Sequence, residues 1–107
     1  MGLNVWLEQV QPTEVYSANI THNLAQMAKE AGIYWYLWHP DLLGITKASE
    51  LIEPLEKGLR RLNIDPEHFD TFNATNGWGK REDLVRFMSE YLEACREHPE
   101  AIVNTDT

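Results

Sequence analysis

Polar side chains able to bind a ligand are concentrated in residues 16–23, where a predicted strand gives way to a predicted helix. The candidates are Tyr16, Asn19, His22 and Asn23. The first N–H groups of a helix are unpaired and attract anions, and the helix dipole favours the neutral, proton-accepting form of a histidine there. The segment therefore predicts a ligand site, with helix capping and a His22 hydrogen-bonded to a buried carbonyl as the structural alternative.

A second group of candidates lies in residues 73–79, the most loop-like stretch of the chain. It contains Asn73, Asn76 and Trp78, and a glycine stands on each side of the tryptophan. Because glycine permits unusual backbone angles, the indole could serve as a lid or as a stacking platform for a planar ligand. The alternative is an indole that packs inward while the glycines form the turn. We expect both groups to line one concave pocket.

Known catalytic motifs are absent from the sequence: there is no Gly-x-Ser-x-Gly, P-loop or Gly-x-Gly-x-x-Gly. The four histidines include no i, i+4 pair, and no Cys-x-x-Cys accompanies them, so no metal site is predicted. The single cysteine, Cys95, falls on an apolar helical stripe that is a poor setting for a nucleophile. We predict no cofactor, and an enzyme using His22 as a base is the least favoured function.

Composition and charge restrict the class of protein and its partners. Of the 107 residues, 43% are hydrophobic and 24% are charged, which is typical of one globular domain over residues 1–107. Nine basic residues stand against 17 acidic ones, and the net charge of −8 repels nucleic acid and anionic lipid. No apolar stretch approaches the about 18 residues of a membrane span, and no signal peptide is recognisable. We expect a cytoplasmic protein without nucleic-acid or membrane partners.

Three strands are predicted. Apolar residues alternate with polar or amphipathic ones over residues 3–7, and a turn at residues 11–14 leads to a second strand over residues 15–20. An apolar run at residues 101–103 predicts a third strand beside this hairpin, with residues 104–107 as a frayed tail.

Three main helices follow from apolar residues at helical spacing. The first ends at Gly32, and the third stops before Pro99. The second is capped by Thr46 and keeps its phase through Pro54, which predicts one kinked helix or, alternatively, a break. Gly58 on its buried stripe indicates that a neighbouring backbone or ring lies close. We predict an α+β fold, a small antiparallel sheet (N-terminal hairpin plus C-terminal strand) packed against three main helices. A helical bundle with a marginal hairpin is the alternative.

Four aromatic residues fall within five positions after the first helix: Tyr34, Trp35, Tyr36 and Trp38. Such a run is typical of core packing, a pocket wall or an interface. Because a chain of this size encloses a limited core, we predict a homodimer with some of these residues in the interface. The net charge of −8 opposes association, so the dimer should strengthen with salt.

Six blocks together resemble a family of small uncharacterised phage and bacterial proteins. They are Asn-Ile-Thr-His-Asn-Leu at 19–24, Ala-Gly-Ile-Tyr at 31–34, Leu-Trp-x-Pro at 37–40, Leu-Ile-x-Pro-Leu at 51–55, Asn-Gly-Trp-Gly at 76–79 and Tyr-Leu-x-Ala-Cys at 91–95. The resemblance covers nearly the whole chain and implies a bacterial or phage cytosolic setting, without implying a reaction. Lys80 and Arg81 depart from it, since similar sequences often have a polar-aromatic pair there.

The favoured function is a module that binds a small molecule, nucleotide-like or otherwise planar and polar, between His22 and Asn23 on one side and Asn76 and Trp78 on the other. The alternative is a protein-interaction or oligomerisation module without a ligand, using the aromatic run or a free sheet edge. The binding hypothesis requires the two groups to lie within about 12 Å of each other, the reach of one small-ligand pocket.

Overall fold

A computed structural model describes residues 2–9 and 14–107, so most of the predicted turn at residues 11–14 lies outside the described residues. The elements in chain order are β1 (Gly2–Glu8), β2 (Glu14–Thr21), a 3₁₀ turn (His22–Leu24), α1 (Ala25–Glu30), α2 (Tyr34–Trp38), a second 3₁₀ turn (Pro40–Leu43), α3 (Ser49–Ile64), α4 (Pro66–Asp70), α5 (Arg81–Glu97) and β3 (Ile102–Asp106). The predicted α+β class is confirmed.

The sheet is antiparallel with strand order β2-β1-β3, so the N-terminal strand is central. Alternate residues of β1 (Leu3, Val5 and Leu7) are buried, which places one face of the sheet against the helices. The third strand pairs beside the hairpin as predicted, but it extends to Asp106. The prediction of a frayed tail from residue 104 is therefore wrong, because β1 offers a second edge to the backbone of these residues.

The helix at the end of β2 begins with a 3₁₀ turn instead of a regular α-helical turn. The Thr21 side chain caps this turn by accepting a hydrogen bond from the N–H of Asn23 at 3.3 Å. The chain then continues as α1 and reverses at Gly32, whose φ of 74° is unfavourable for other residues. The predicted glycine stop is confirmed, and the aromatic run that follows forms the helical turn α2.

The helix α3 runs without a break through Pro54, as the unbroken apolar phase predicts. Thr46 is not its N-cap: the Glu50 carboxylate accepts hydrogen bonds from the N–H groups of Thr46 and Lys47 at 3.1 and 3.0 Å. These backbone bonds hold the pKa of Glu50 below its ordinary value. The Thr46 carbonyl instead accepts a hydrogen bond from the N–H of Val103 in β3 at 2.9 Å.

The core lies between the sheet and the helices, with α3 and α5 packed on each other. A Cβ at Gly58 would lie 2.8 Å from the end of the Met88 side chain and 3.3 Å from Ile33 Cβ. A close approach at Gly58 is confirmed, but the prediction of a backbone or ring there is wrong: the neighbours are the aliphatic side chains of Met88 and Ile33. Within the described residues, no helix is both long and apolar enough to cross a bilayer.

Candidate functional site

A groove of about 340 Å³ opens between β2, an edge strand of the sheet, and the first half of α5. The loop before α5 closes one end of this groove, which we call the β2–α5 groove. Its lining residues are Ala18, Asn19, Ile20, Thr21, Leu24, Gly77, Trp78, Gly79, Asp83, Arg86, Phe87 and Glu90. Of the seven predicted site residues, Asn19 and Trp78 belong to this lining.

Trp78 has an exposed side chain on an anchored backbone. Its ring is 71% exposed, so the inward-packed alternative does not describe it. Its carbonyl accepts a hydrogen bond from Asn23 Nδ2 at 2.7 Å, and its N–H donates to Asn76 Oδ1 at 3.0 Å. Asn23 and Asn76 thus hold the backbone that carries the indole, and neither side chain is part of the groove lining.

Gly79 fixes the loop against the end of β2. Its φ is 122°, and a Cβ there would lie 3.2 Å from Asn23 Cβ and 3.3 Å from atoms of Leu24 and Thr21. Such a close backbone approach needs a residue without a side chain. The two polar groups of the sequence therefore meet in space, well within the separation that a shared pocket requires.

Side chains of the preceding loop and of the first turn of α5 accept hydrogen bonds from backbone N–H groups at the start of this helix. Asn73 Oδ1 accepts from the N–H of Arg81 at 2.7 Å, and Asp83 accepts from the N–H of Lys80 at 3.0 Å. The Arg81 guanidinium is also paired with Asp70 at 3.0 Å. Asn73 is therefore a capping residue for α5, and the N–H groups at this helix end are occupied from within the chain.

His22 points to the core and is not part of the groove lining. Trp38 Nε1–H, on a side chain only 1% exposed, donates to His22 Nδ1 at 3.1 Å. An accepting Nδ1 places the proton of the neutral ring on Nε2. The structure favours the predicted alternative of a hydrogen-bonded histidine, with a core indole as the partner.

Tyr16 packs beneath α5, outside the groove lining. Its ring stacks on that of Tyr91 at 5.9 Å and 11°, and both hydroxyls are buried without a hydrogen-bond partner. Burial, reinforced by the negative charge of Glu90, raises the pKa of Tyr16 to about 12. The phenol is thus held neutral and serves as packing material in this structure.

Sequence reasoning missed the α5 wall of the groove, formed by Asp83, Arg86, Phe87 and Glu90. Their spacing follows one helical face, which was the available signal. Polar residues at such positions are also typical of any solvated helix face, and only the neighbouring β2 turns this face into a wall. Arg86 lies 3.6 Å from Asp83, so the wall carries one cation and two carboxylates.

The aromatic run is divided between the core and the surface. Trp38 is buried within the chain, which is the core-packing role expected for such a run, and Tyr34 stacks on it at 5.2 Å and 16°. Three other large apolar side chains of this region are exposed: Trp35 at 51%, Leu42 at 68% and Leu43 at 46%. We call these three residues the apolar patch.

No family model matches this chain, and neither a curated protein nor a solved structure is similar to it. The resemblance to small phage and bacterial proteins therefore stays a prediction. In the described parts of the chain, no group of three or more His, Cys, Asp or Glu residues is placed to hold a metal ion.

Proposed function

We propose that this protein binds a small planar, polar molecule in the β2–α5 groove, with one face of the ligand stacked on the indole of Trp78. One observation carries the proposal: Trp78 is 71% exposed beside the groove while Asn23 and Asn76 fix its backbone. A large ring held in water by an anchored loop is better explained by a ligand than by packing.

The polar groups of the groove indicate what the rest of the ligand is like. Asp83 and Glu90 supply hydrogen-bond acceptors, and the guanidinium of Arg86 supplies donors. One nitrogen of this guanidinium forms an ion pair with Asp83 at 3.6 Å. Since side chains cap the start of α5 and the net charge is −8, several phosphates would be repelled. A neutral or cationic heteroaromatic compound, such as a nucleoside or a planar amine, fits better than a nucleotide.

The proposed activity is binding without catalysis, in a cytoplasmic setting. His22, the only base suggested by the sequence, does not line the groove, and its Nδ1 accepts a hydrogen bond from Trp38. The thiol of Cys95 is buried, and burial raises its pKa to about 12, which suppresses the nucleophilic thiolate.

The test is a titration with adenosine and with tryptamine, followed by the indole N–H signals in two-dimensional NMR. We expect saturable shifts of the Trp78 signal and of the backbone amides that line the groove, and these amides should report at least a roughly tenfold weaker affinity in Trp78→Ala. Trp35→Ala, which removes another exposed indole, is the matched control and should bind like the natural chain. Unfolding of Trp78→Ala by urea should show a change within about 0.5 kcal/mol, as for a surface residue. Binding unaffected by Trp78→Ala, or no binding of either probe, refutes the proposal.

A second candidate function is self-association through the apolar patch. Exposed Trp35, Leu42 and Leu43 belong to neighbouring elements, α2 and the 3₁₀ turn after it, which are in contact. Large apolar side chains close together on a surface are typical of protein interfaces. A homodimer would use Trp35 from the predicted set, with Trp38 contributing to the core of each chain.

A further inference from the structure

The face of the sheet opposite the helices carries an unusual set of polar side chains. On the central strand, Asn4 and Trp6 lie on the face opposite the buried residues of β1. Asn4 is paired with Asn19 of β2, and Trp6 lies between Ser17 of β2 and Asn104 of β3. Asparagine is depleted in strands, where β-branched and aromatic side chains pack better. Three asparagines at outward positions of a three-stranded sheet therefore need a reason other than sheet stability.

Hydrogen bonds hold these side chains in place. Trp6 Nε1–H donates to Glu8 Oε1 at 2.7 Å, and Asn104 Nδ2 donates to the same oxygen at 3.2 Å. Across β1 and β2, Asn19 Nδ2 donates to Asn4 Oδ1 at 2.8 Å. Each amide thereby uses one polar group internally and keeps a second one, either an NH₂ or a carbonyl, for a ligand.

The face also has a concave part. A depression of about 360 Å³ lies over β1 and β2, and its side-chain lining includes Asn4, Trp6, Glu14, Ser17 and Asn19. It shares only residues 18 and 19 with the β2–α5 groove. An indole beside amides and a hydroxyl thus borders a space large enough for a sugar ring.

Charge discriminates between the ligands that such a face could take. The segments Gly2–Glu8, Glu14–Thr21 and Ile102–Asp106 contain acidic residues and no lysine or arginine. Nucleic acid, which also stacks on aromatic residues of sheets, requires cations for its phosphates. A sugar is neutral, and each of its hydroxyls is both donor and acceptor, which matches amide side chains.

We propose that the outer face of the sheet is a second binding site, specific for a neutral carbohydrate. One sugar ring stacks its C–H face on Trp6, and its hydroxyl groups exchange hydrogen bonds with Asn4, Asn19 and Asn104. The site is distinct from the groove beside Trp78, because it is centred on the outer face of the sheet and uses a different indole, while Asn19 borders both spaces.

The experiment is an NMR titration of the full chain with maltotriose, cellotriose and chitotriose, with the Trp6 indole signal assigned from Trp6→Phe. We expect a saturable shift of this signal by at least one probe, with a Kd of about 1 mM or tighter. Followed by the backbone amide signals of β1 and β2, which remain in the variants, binding should disappear in Trp6→Ala and weaken at least roughly tenfold in Asn104→Thr. Threonine suits a strand, so the second variant keeps the sheet intact. Trp78→Ala is the matched control and should bind the sugar unchanged.

Three outcomes would overturn the proposal. The first is that none of the sugars shifts the Trp6 signal. The second is a sugar-induced shift that Asn104→Thr leaves intact while Trp78→Ala abolishes it, since the sugar then occupies the groove. The third is a Trp6 signal that moves with protein concentration alone, which would mean that a second copy of the chain covers the face.

Discussion

The buried indole of Trp38 depends on His22 for its hydrogen-bond acceptor. The indole N–H is buried, and His22 Nδ1 is its acceptor at 3.1 Å. His22→Ala leaves this donor in the core without a partner, which should lower the free energy of unfolding by about 1 to 3 kcal/mol. Urea unfolding measures the loss. His98→Ala removes a histidine at the end of α5 and should change stability by less than about 0.5 kcal/mol. Equal effects of the two substitutions would contradict a structural role for His22.

Three buried acidic groups should make the fold sensitive to alkali. Burial raises the pKa of Tyr16 from 10.0 to about 12 and that of Cys95 from 9.0 to about 12, and it also raises the pKa of Tyr91. The unfolded chain then loses these protons first. The free energy of unfolding should therefore be independent of these groups below about pH 8 and fall as the pH rises towards about 12.

Tyr91→Phe isolates part of this effect. The Tyr91 hydroxyl is buried without a hydrogen-bond partner, so its removal should leave stability unchanged or increased at about pH 8. The same substitution should make the decline between about pH 8 and pH 10.5 shallower, as measured by urea midpoints. A decline as steep as in the natural chain would show that folding does not raise the pKa of Tyr91.

At the scale of elements, the junction of β2, the 3₁₀ turn and the loop before α5 depends on one glycine. Gly79→Ala combines a φ of 122° with contacts near 3.2 Å, so it should cost about 2 to 3 kcal/mol and displace Trp78. Gly77 is the matched control, because its φ is 79° and a Cβ there meets nothing within 4 Å. Gly77→Ala should cost about 1 to 2 kcal/mol, and thermal melting compares the two. A larger loss for Gly77→Ala would contradict the packing of this loop on β2.

The local elements could be predicted because their signals are local. Alternation over residues 3–7 and the apolar stripes of α3 and α5 each report which face is buried. Signals that depend on distant partners failed. Thr46 looks like a cap, but its carbonyl is paired with Val103 of β3, and the length of β3 is set by the free edge of β1.

The candidate site likewise contains residues that local sequence signals identified and residues that only tertiary packing brings into the site. Asn23, Asn76 and Trp78 could be singled out as polar or aromatic residues near glycines, and the structure does bring them together. The direction of the indole could not be predicted, because flanking glycines allow the ring to face inward or outward. Likewise, Glu90 becomes part of a groove only through the packing of α5 beside β2.

At the scale of the whole molecule, association is a balance between the apolar patch and a net charge of −8. Salt screens the repulsion between two acidic chains, so we expect a homodimer that strengthens between about 0.05 and 0.5 M NaCl in sedimentation velocity. The double substitution Trp35→Ala and Leu42→Ala should weaken it. Ile64→Ala, at an exposed apolar residue at the end of α3, should not. A monomer at every salt concentration would exclude the dimer.

The central position of β1 in the sheet has a consequence for biosynthesis. Of the three strands of this sheet, β1 is synthesised before β2 and β3, and it gains its second neighbour from β3, since Asn4 pairs with Asp106. Until β3 has been synthesised, the backbone N–H and C=O groups on one edge of β1 have no partner strand. Such exposed edges favour misassembly between nascent chains. Pairing of β1 with β3 is therefore a long-range step, and such steps slow folding.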